Sequence, residues 1–150
     1  MHFVTGGAFN GKTAWVKTYY DLSEQNCRLI SGYREDPFPR PLPGDKPFLV
    51  LNGIEQYVYR WLHDTDEKSV RKKWQNILEE CSELEKKQQL KVIIIGTDIT
   101  KGIVPTDKKE REWRDAAGRV FQDTATVCRR VDIVWYGQNK TLKNEPEESF

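Results

Sequence analysis

The stretch Gly6-Gly7-Ala8-Phe9-Asn10-Gly11-Lys12-Thr13 fits the pattern G-x-x-x-x-G-K-[ST] and directly follows the short apolar run Phe3-Val4-Thr5. Behind it, Ala14-Trp15-Val16-Lys17-Thr18-Tyr19-Tyr20 continues as a helix, with Val16, Tyr19 and Tyr20 at core-facing spacing. A strand, a glycine-rich turn and a helix opening on Lys and Thr form a phosphate cradle. Backbone N–H groups along such a turn converge on phosphate oxygens, and the positive end of the helix adds to the attraction. Gly6, Gly7, Ala8, Phe9, Asn10, Gly11, Lys12 and Thr13 are therefore the expected nucleotide-binding set. Lys12 reaches toward the β- and γ-phosphates, and the Thr13 hydroxyl is placed to ligand Mg2+. A turn that binds nothing is the alternative. The coincidence of glycines, Lys12 and Thr13 at a strand-to-helix junction argues against it.

Outward from this loop, short apolar runs alternate with longer amphipathic stretches. Strands are expected over residues 2–4, 27–30, 48–51, 91–95 and 132–136, and helices over 12–22, 54–63, 67–88 and 107–130. Such alternation argues for an α/β fold with a mostly parallel sheet covered on both faces. The helix over 67–88 carries Val70, Trp74, Ile77, Leu78, Cys81 and Leu84 in one apolar stripe, opposite a solvated Glu/Lys-rich face. The helix over 107–130 opens with Asp107 and Glu110 spaced as a capping box and buries Trp113, Ala117, Val120, Phe121, Thr124 and Cys128. Residues 36–47 hold five of the seven prolines and read as a stiff, extended connection between the second and third strands. A ligand for another protein's aromatic groove is the second reading of that segment. Residues 144–150 are acidic and aperiodic and are expected to form a disordered tail, which leaves 1–143 as a single nucleotide-binding domain.

A chain of 150 residues suits one core. Its net charge of +1 gives no electrostatic reason to expect nucleic-acid binding. Even an apolar run such as Val92-Ile93-Ile94-Ile95 is too short to span a bilayer, and none is longer. A strand that begins at residue 2 leaves no room for a signal peptide. Cys27, Cys81 and Cys128, odd in number and widely spaced, form neither a disulfide framework nor a zinc site. Cys81 and Cys128 fall on apolar helix faces, so a reducing cytoplasm is the expected compartment. His2, at a strand start, and His63, near a helix end, read as surface or terminal residues rather than metal ligands.

In a parallel sheet the site lies beyond the carboxyl ends of the strands. Asp98 follows the most apolar strand and is the best candidate to orient a metal ion or the nucleophile, with capping of the following turn as its alternative. Glu55, in the first helical turn after Asn52-Gly53-Ile54, reads equally as a site carboxylate or as an ordinary N-terminal helix charge.

Three stretches together carry a family resemblance: residues 4–13, Gly102-Ile103-Val104-Pro105, and Arg114-Asp115-Ala116-Ala117-Gly118-Arg119-Val120. With them the chain resembles the adenosylcobinamide kinase/adenosylcobinamide-phosphate guanylyltransferase family of cobalamin biosynthesis. The second half, residues 92–143, is similar almost throughout and ends on a strand closed by Gly137. The resemblance implies a P-loop NTPase (RecA-like) three-layer sandwich. It also implies phosphorylation of the aminopropanol hydroxyl of adenosylcobinamide, with ATP or GTP as donor and Mg2+ as cofactor. A homo-oligomer, a trimer in similar proteins, is implied with it. Lys12 and Asp98 are then the expected catalytic residues, with Thr13 and Asp98 at the metal. Arg114 and Arg119 are placed either against nucleotide or against Asp115 at a subunit surface.

The chain departs from the family at three points. The segment after Ile30 lacks the histidine that carries GMP in the family's second step, so guanylyl transfer is not expected. Asn52 stands where the family has an acidic residue, and Asp98 where it has glutamate. A nucleotide-binding relative without catalysis, regulatory or partnering a fuller enzyme, is the second functional reading.

Overall fold

The apolar run at the start of the chain forms β1 (His2–Gly6), and the stretch behind the glycine-rich loop forms α1 (Lys12–Tyr20). The computed structural model describes residues 1–35, 37–88, 90–100 and 106–146. Within them follow β2 (Cys27–Ser31), β3 (Phe48–Asn52), α2 (Ile54–Trp61), α3 (Glu67–Gln88), β4 (Lys91–Thr97), α4 (Lys108–Val127), β5 (Arg130–Trp135) and β6 (Gln138–Asn144). All six strands join one sheet in the order β2-β3-β4-β1-β5-β6. Every pairing is parallel except β5 with β6. The α/β class and the mostly parallel sheet are as the sequence predicts.

Alternation along the strands sorts the core into two layers. Phe3, Leu49, Leu51, Val92, Ile94 and Val131 pack beneath α2, α3 and α4, together with Ile54, Tyr57, Val70, Trp74, Ile77, Ala117 and Val120. Val4, Val50, Ile93, Ile95 and Val134 face the other way and meet Val16 of α1. β4 is buried on both sides, which is why its sequence is apolar without a break. Trp74 and Thr124 lock α3 to α4: the indole N–H donates to the threonine hydroxyl at 2.8 Å, deep in the core.

Cover on the two faces is unequal. The proline-rich connection also lies on the side of α2 and α3. Leu42 is buried there, its N–H donating to Glu80 Oε1 at 3.0 Å, and the Phe38 ring packs against Tyr57 and Trp61. The apolar side chains of this segment are thus used within the fold; Asp36 lies outside the described residues. On the opposite face α1 packs on β1 and β5, and among the described residues no second helix covers β2 and β3. A hollow of about 380 Å³ opens there, lined by Thr13, Val16, Leu22, Leu29, Val50 and Ile95 among others.

Several local expectations are corrected. β6 is absent from the sequence reading because Gln138-Asn139-Lys140-Thr141-Leu142-Lys143-Asn144 is almost wholly exposed and has no apolar period. It is an edge strand held by ladder hydrogen bonds to β5. The boundary expected at 143 falls inside it, and the Glu145 N–H donates to the Arg129 carbonyl at 2.8 Å. Residues 147–150 of the expected tail lie outside the described residues. Tyr19 is exposed rather than core-facing and stacks on Trp15. Asp107 caps α4 through the Lys109 N–H rather than through a capping box with Glu110. Cys81 and Cys128 are buried, as expected.

His2 is fully buried, contrary to the surface position expected of it. A residue at the start of a central strand is covered from both sides, which the local sequence does not reveal. Its Nε2 stands 2.5 Å from Asp132 Oδ2 and its Nδ1 2.6 Å from the Tyr20 hydroxyl. Asp132 also accepts from Arg130 Nε, Asn139 Nδ2 and Thr141 Oγ1. A neutral ring with its proton on Nε2 satisfies both contacts, donating to Asp132 and accepting from Tyr20; the tautomer is assigned from this network. Burial pushes His2 down from 6.5 to about 4, with Asp132 opposing. The unfolded chain therefore binds this proton near pH 6.5, and the folded chain only near pH 4. Stability should fall as pH drops through that window, by about 3 kcal/mol when the shift is fully expressed. Urea unfolding of wild type and His2→Gln between pH 7 and pH 4 checks this. The variant should lack the extra slope, and equal slopes would refute the assignment.

Candidate active site

β1 ends in a conformation that favours glycine. Gly6 has φ of 151°, and a Cβ there would stand 2.3 Å from the Val134 carbonyl oxygen of β5. Gly11, with φ of 83°, turns the loop into α1. Among the described residues no side chain caps that helix, so its first N–H groups remain available to an anion. The loop is tied to its neighbours at both ends. The Asp98 N–H donates to the Gly6 carbonyl at 2.8 Å, and the Gly137 N–H donates to the Asn10 carbonyl at 3.0 Å.

Lys12 is buried despite its charge, and its Nζ donates to the Gly7 carbonyl at 2.8 Å. That contact folds the ammonium over the loop. Burial lowers the Lys12 pKa, and the Glu55 carboxylate opposes the shift.

These residues line a cleft of about 430 Å³ at the carboxyl ends of β1, β3 and β4. Ala8, Phe9, Gly11, Lys12, Thr13 and Ala14 form one wall; Tyr33, Asn52, Glu55, Gln56, Thr97 and Ile99 form the rest. The structure thus brings Lys12 and Thr13 together with Asn52 and Glu55. Of the two acidic candidates, Glu55 lines the cleft and Asp98 does not. Asp98 turns its Oδ1 to the N–H and hydroxyl of Thr100, at 2.8 and 2.5 Å, the turn-capping arrangement named as its alternative.

Glu55 is only 1 % exposed. One oxygen, Oε1, accepts from the Thr97 N–H at 2.8 Å; Oε2 is also buried and has no hydrogen-bond partner among the described residues. Buried carboxylate oxygens are seldom left so, because the desolvation is costly. The position follows from the junction: Gly53 caps α2, its N–H held by the Ile95 carbonyl at 2.9 Å, and the first helical turn then swings Glu55 back over the end of β4. Trp113 of α4 pins the same turn by donating to the Glu55 carbonyl at 2.8 Å.

Tyr33 is a polar cleft residue absent from the sequence expectations. It follows β2 through Gly32, whose N–H donates to the Asn52 carbonyl at 2.7 Å. Its hydroxyl lies 3.0 Å from Thr97 Oγ1. Burial pushes the phenol up to about 12, so it carries its proton at neutral pH. The available signal was its place just beyond the carboxyl end of a predicted strand.

Arg114 and Arg119 do not line the cleft. Arg119 pairs with Glu67 of α3, and Arg114 donates to the Thr100 carbonyl. His63 is exposed at the end of α2 and contacts the Tyr59 carbonyl. Residues 101–105, with the Gly102-Ile103-Val104-Pro105 run, lie outside the described residues. No helix of the described residues is long and apolar enough to cross a membrane.

No curated protein matches the sequence. A family model does, described as cobinamide kinase / cobinamide phosphate guanyltransferase, over residues 40–142. The match takes in Glu55, Asp98 and the Arg114–Val120 run and leaves the phosphate loop at 6–13 outside. The loop therefore rests on its own geometry and the remainder on the match. With a strand–loop–helix cradle on a parallel sheet, and with the matched stretch covering well over half of its length, the chain has the P-loop NTPase fold and belongs to the cobinamide kinase / cobinamide phosphate guanyltransferase family.

Proposed function

We propose that this chain is a kinase of that family which phosphorylates the aminopropanol hydroxyl of adenosylcobinamide from ATP or GTP and does not carry out guanylyl transfer. The observation that carries this reading is the buried, half-partnered Glu55 carboxylate in one cleft with Lys12 and Thr13. Asn52 lacks the charge that the family has at that position, and Glu55, one helical turn later on the same cleft wall, supplies it.

The donor set suits Mg2+. The Thr13 hydroxyl lines the cleft as an oxygen donor, and the Glu55 carboxylate on the same cleft puts negative charge nearby. Among the described residues no three His, Cys, Asp or Glu side chains cluster, so the ion would be held jointly with phosphate oxygens. Asp98 remains a further candidate at the end of β4. When bound, Mg2+ supplies charge neutralisation on the transferring phosphate.

The remaining work falls to the chain's own groups. N–H groups from Gly7 to Lys12 cradle the β- and γ-phosphates. Lys12 exchanges its contact with the Gly7 carbonyl for a γ-phosphate oxygen. The acceptor hydroxyl oxygen bonds to the γ-phosphorus as the bond to the β-phosphate oxygen breaks, releasing the nucleoside diphosphate. Glu55 Oε2 stands ready to receive the hydroxyl proton. The hollow beside α1 shares Thr13 with the cleft and offers apolar cover for the acceptor's arm.

The family's guanylyl transfer runs through a guanylylated histidine, so an imidazole nucleophile would be needed at the phosphate site. Neither histidine lines the cleft: His2 is locked in its network with Asp132, and His63 is on the surface. Asn52 favours one second reading, a nucleotide binder without turnover. Purified protein with Mg2+, nucleotide and adenosylcobinamide separates the two. Release of nucleoside diphosphate with a phosphorylated corrinoid supports the kinase; saturable nucleotide binding without product leaves the binder. Acid-labile GMP on the protein after incubation with GTP would refute the kinase-only reading.

A further inference from the structure

We propose that Trp135 and Tyr136, at the turn joining β5 to β6, form the platform on which the purine ring of the bound nucleotide stacks. The inference rests on the phosphate-loop reading above and extends it to the base.

Three observations converge on this turn. The first is exposure. Trp135 is 64 % exposed and Tyr136 79 % exposed, and their rings stack on each other with centroids 5.3 Å apart and planes 26° from parallel. The pair is a ready-made flat aromatic surface facing water, and a base stacks on such a surface whatever its identity.

The second is backbone strain. Tyr136 has φ of 52° and Gly137 φ of 71°, so both central residues of a two-residue hairpin turn are left-handed. Such turns favour Asn-Gly or Asp-Gly; a bulky aromatic at the first position is unfavourable. Phe9, fully exposed on the phosphate loop, is likewise left-handed at φ 62°. Two exposed aromatics thus occupy backbone positions where Asn or Gly would be less strained. Strain held without burial in return is characteristic of functional loops.

The third is position. The turn lies at the carboxyl end of β5, beside β1, at the same end of the sheet as the phosphate loop. It packs against that loop: the Gly137 N–H donates to the Asn10 carbonyl, and a Cβ on Gly11 would meet the Gly137 Cα at 3.5 Å. Phosphates seated between Gly7 and Lys12 leave the ribose and base to extend outward. The aromatic surface joined to the loop on its β5 side is where an extended nucleotide finds a partner. Stacking also reads no base edge, so this platform serves ATP and GTP alike.

The test compares ligands with and without a base. Wild type, Trp135→Ala, Tyr136→Asn and Lys12→Ala are titrated with GTP, ATP and inorganic tripolyphosphate in Mg2+. Trp135→Ala and Tyr136→Asn should weaken both nucleotides roughly tenfold to a hundredfold and leave tripolyphosphate unchanged. Tyr136→Asn should at the same time raise Tm, because it installs the residue that the turn prefers. In wild type, tryptophan emission should be quenched by GTP but not by tripolyphosphate, and Trp135→Ala should lose that response. Undiminished nucleotide affinity in both turn variants overturns the platform while leaving the phosphate loop standing. Wild-type protein that binds neither nucleotide nor tripolyphosphate overturns both readings.

Discussion

Replacing Lys12 with alanine should lower turnover by roughly a hundredfold to a thousandfold, the usual cost of removing one preorganised charge from a developing phosphoryl transition state. The side chain is buried, so its ammonium is already stripped of much of its water, and it is aimed by its contact with the Gly7 carbonyl. Little reorganisation is needed when a phosphate takes the place of that carbonyl. The loss should appear in kcat and in nucleotide affinity together, since the same charge serves the ground and transition states. Folding should survive, because the stem sits at a cleft wall and the loop geometry is held by Gly6 and Gly11. Unimpaired nucleotide binding by a folded Lys12→Ala protein would remove the loop from the site.

Glu55→Gln should lower kcat by roughly a hundredfold or more while leaving metal-free nucleotide affinity almost unchanged, within the range expected for loss of a positioned proton acceptor. The substitution keeps an oxygen to accept from the Thr97 N–H and removes only the charge and basicity of the second atom. It should also move the alkaline limb of the pH–rate profile. Burial lowers the Lys12 pKa and Glu55 opposes that shift. Without the carboxylate the pKa falls further, Lys12 loses its proton at lower pH, and the limb moves toward neutrality. Asp98→Asn, by contrast, removes charge from a group already turned to Thr100 and should have the smaller effect on kcat. Equal losses in the two variants would restore Asp98 to the centre of the site.

These contrasts mark where local sequence carried the information. The glycine-rich loop is legible because each of its requirements is local. Gly6 and Gly11 meet backbone demands at their own positions, and Lys12 and Thr13 follow at fixed helical offsets. The strands were legible wherever both faces are buried, as in β4, and illegible where neither is, as in β6. Glu55 could not be decided from its neighbours. A carboxylate in the first turn of a helix is ordinary when exposed and exceptional when buried, and its burial depends on β4 and α4, distant in sequence. His2 escapes a local reading for the same reason: its partner Asp132 lies at the other end of the chain.

The parallel sheet, the strand–loop–helix at the start of the chain and the kinship of the second half can be read from local sequence, because apolar period, turn chemistry and motif spacing are properties of short stretches. Which carboxylate enters the cleft, where the proline-rich connection lies and which exposed aromatics stand beside the loop emerge only in three dimensions. Those outcomes depend on burial and on pairing between residues far apart in the chain, and burial exists only once the sheet has formed and the helices have closed over it.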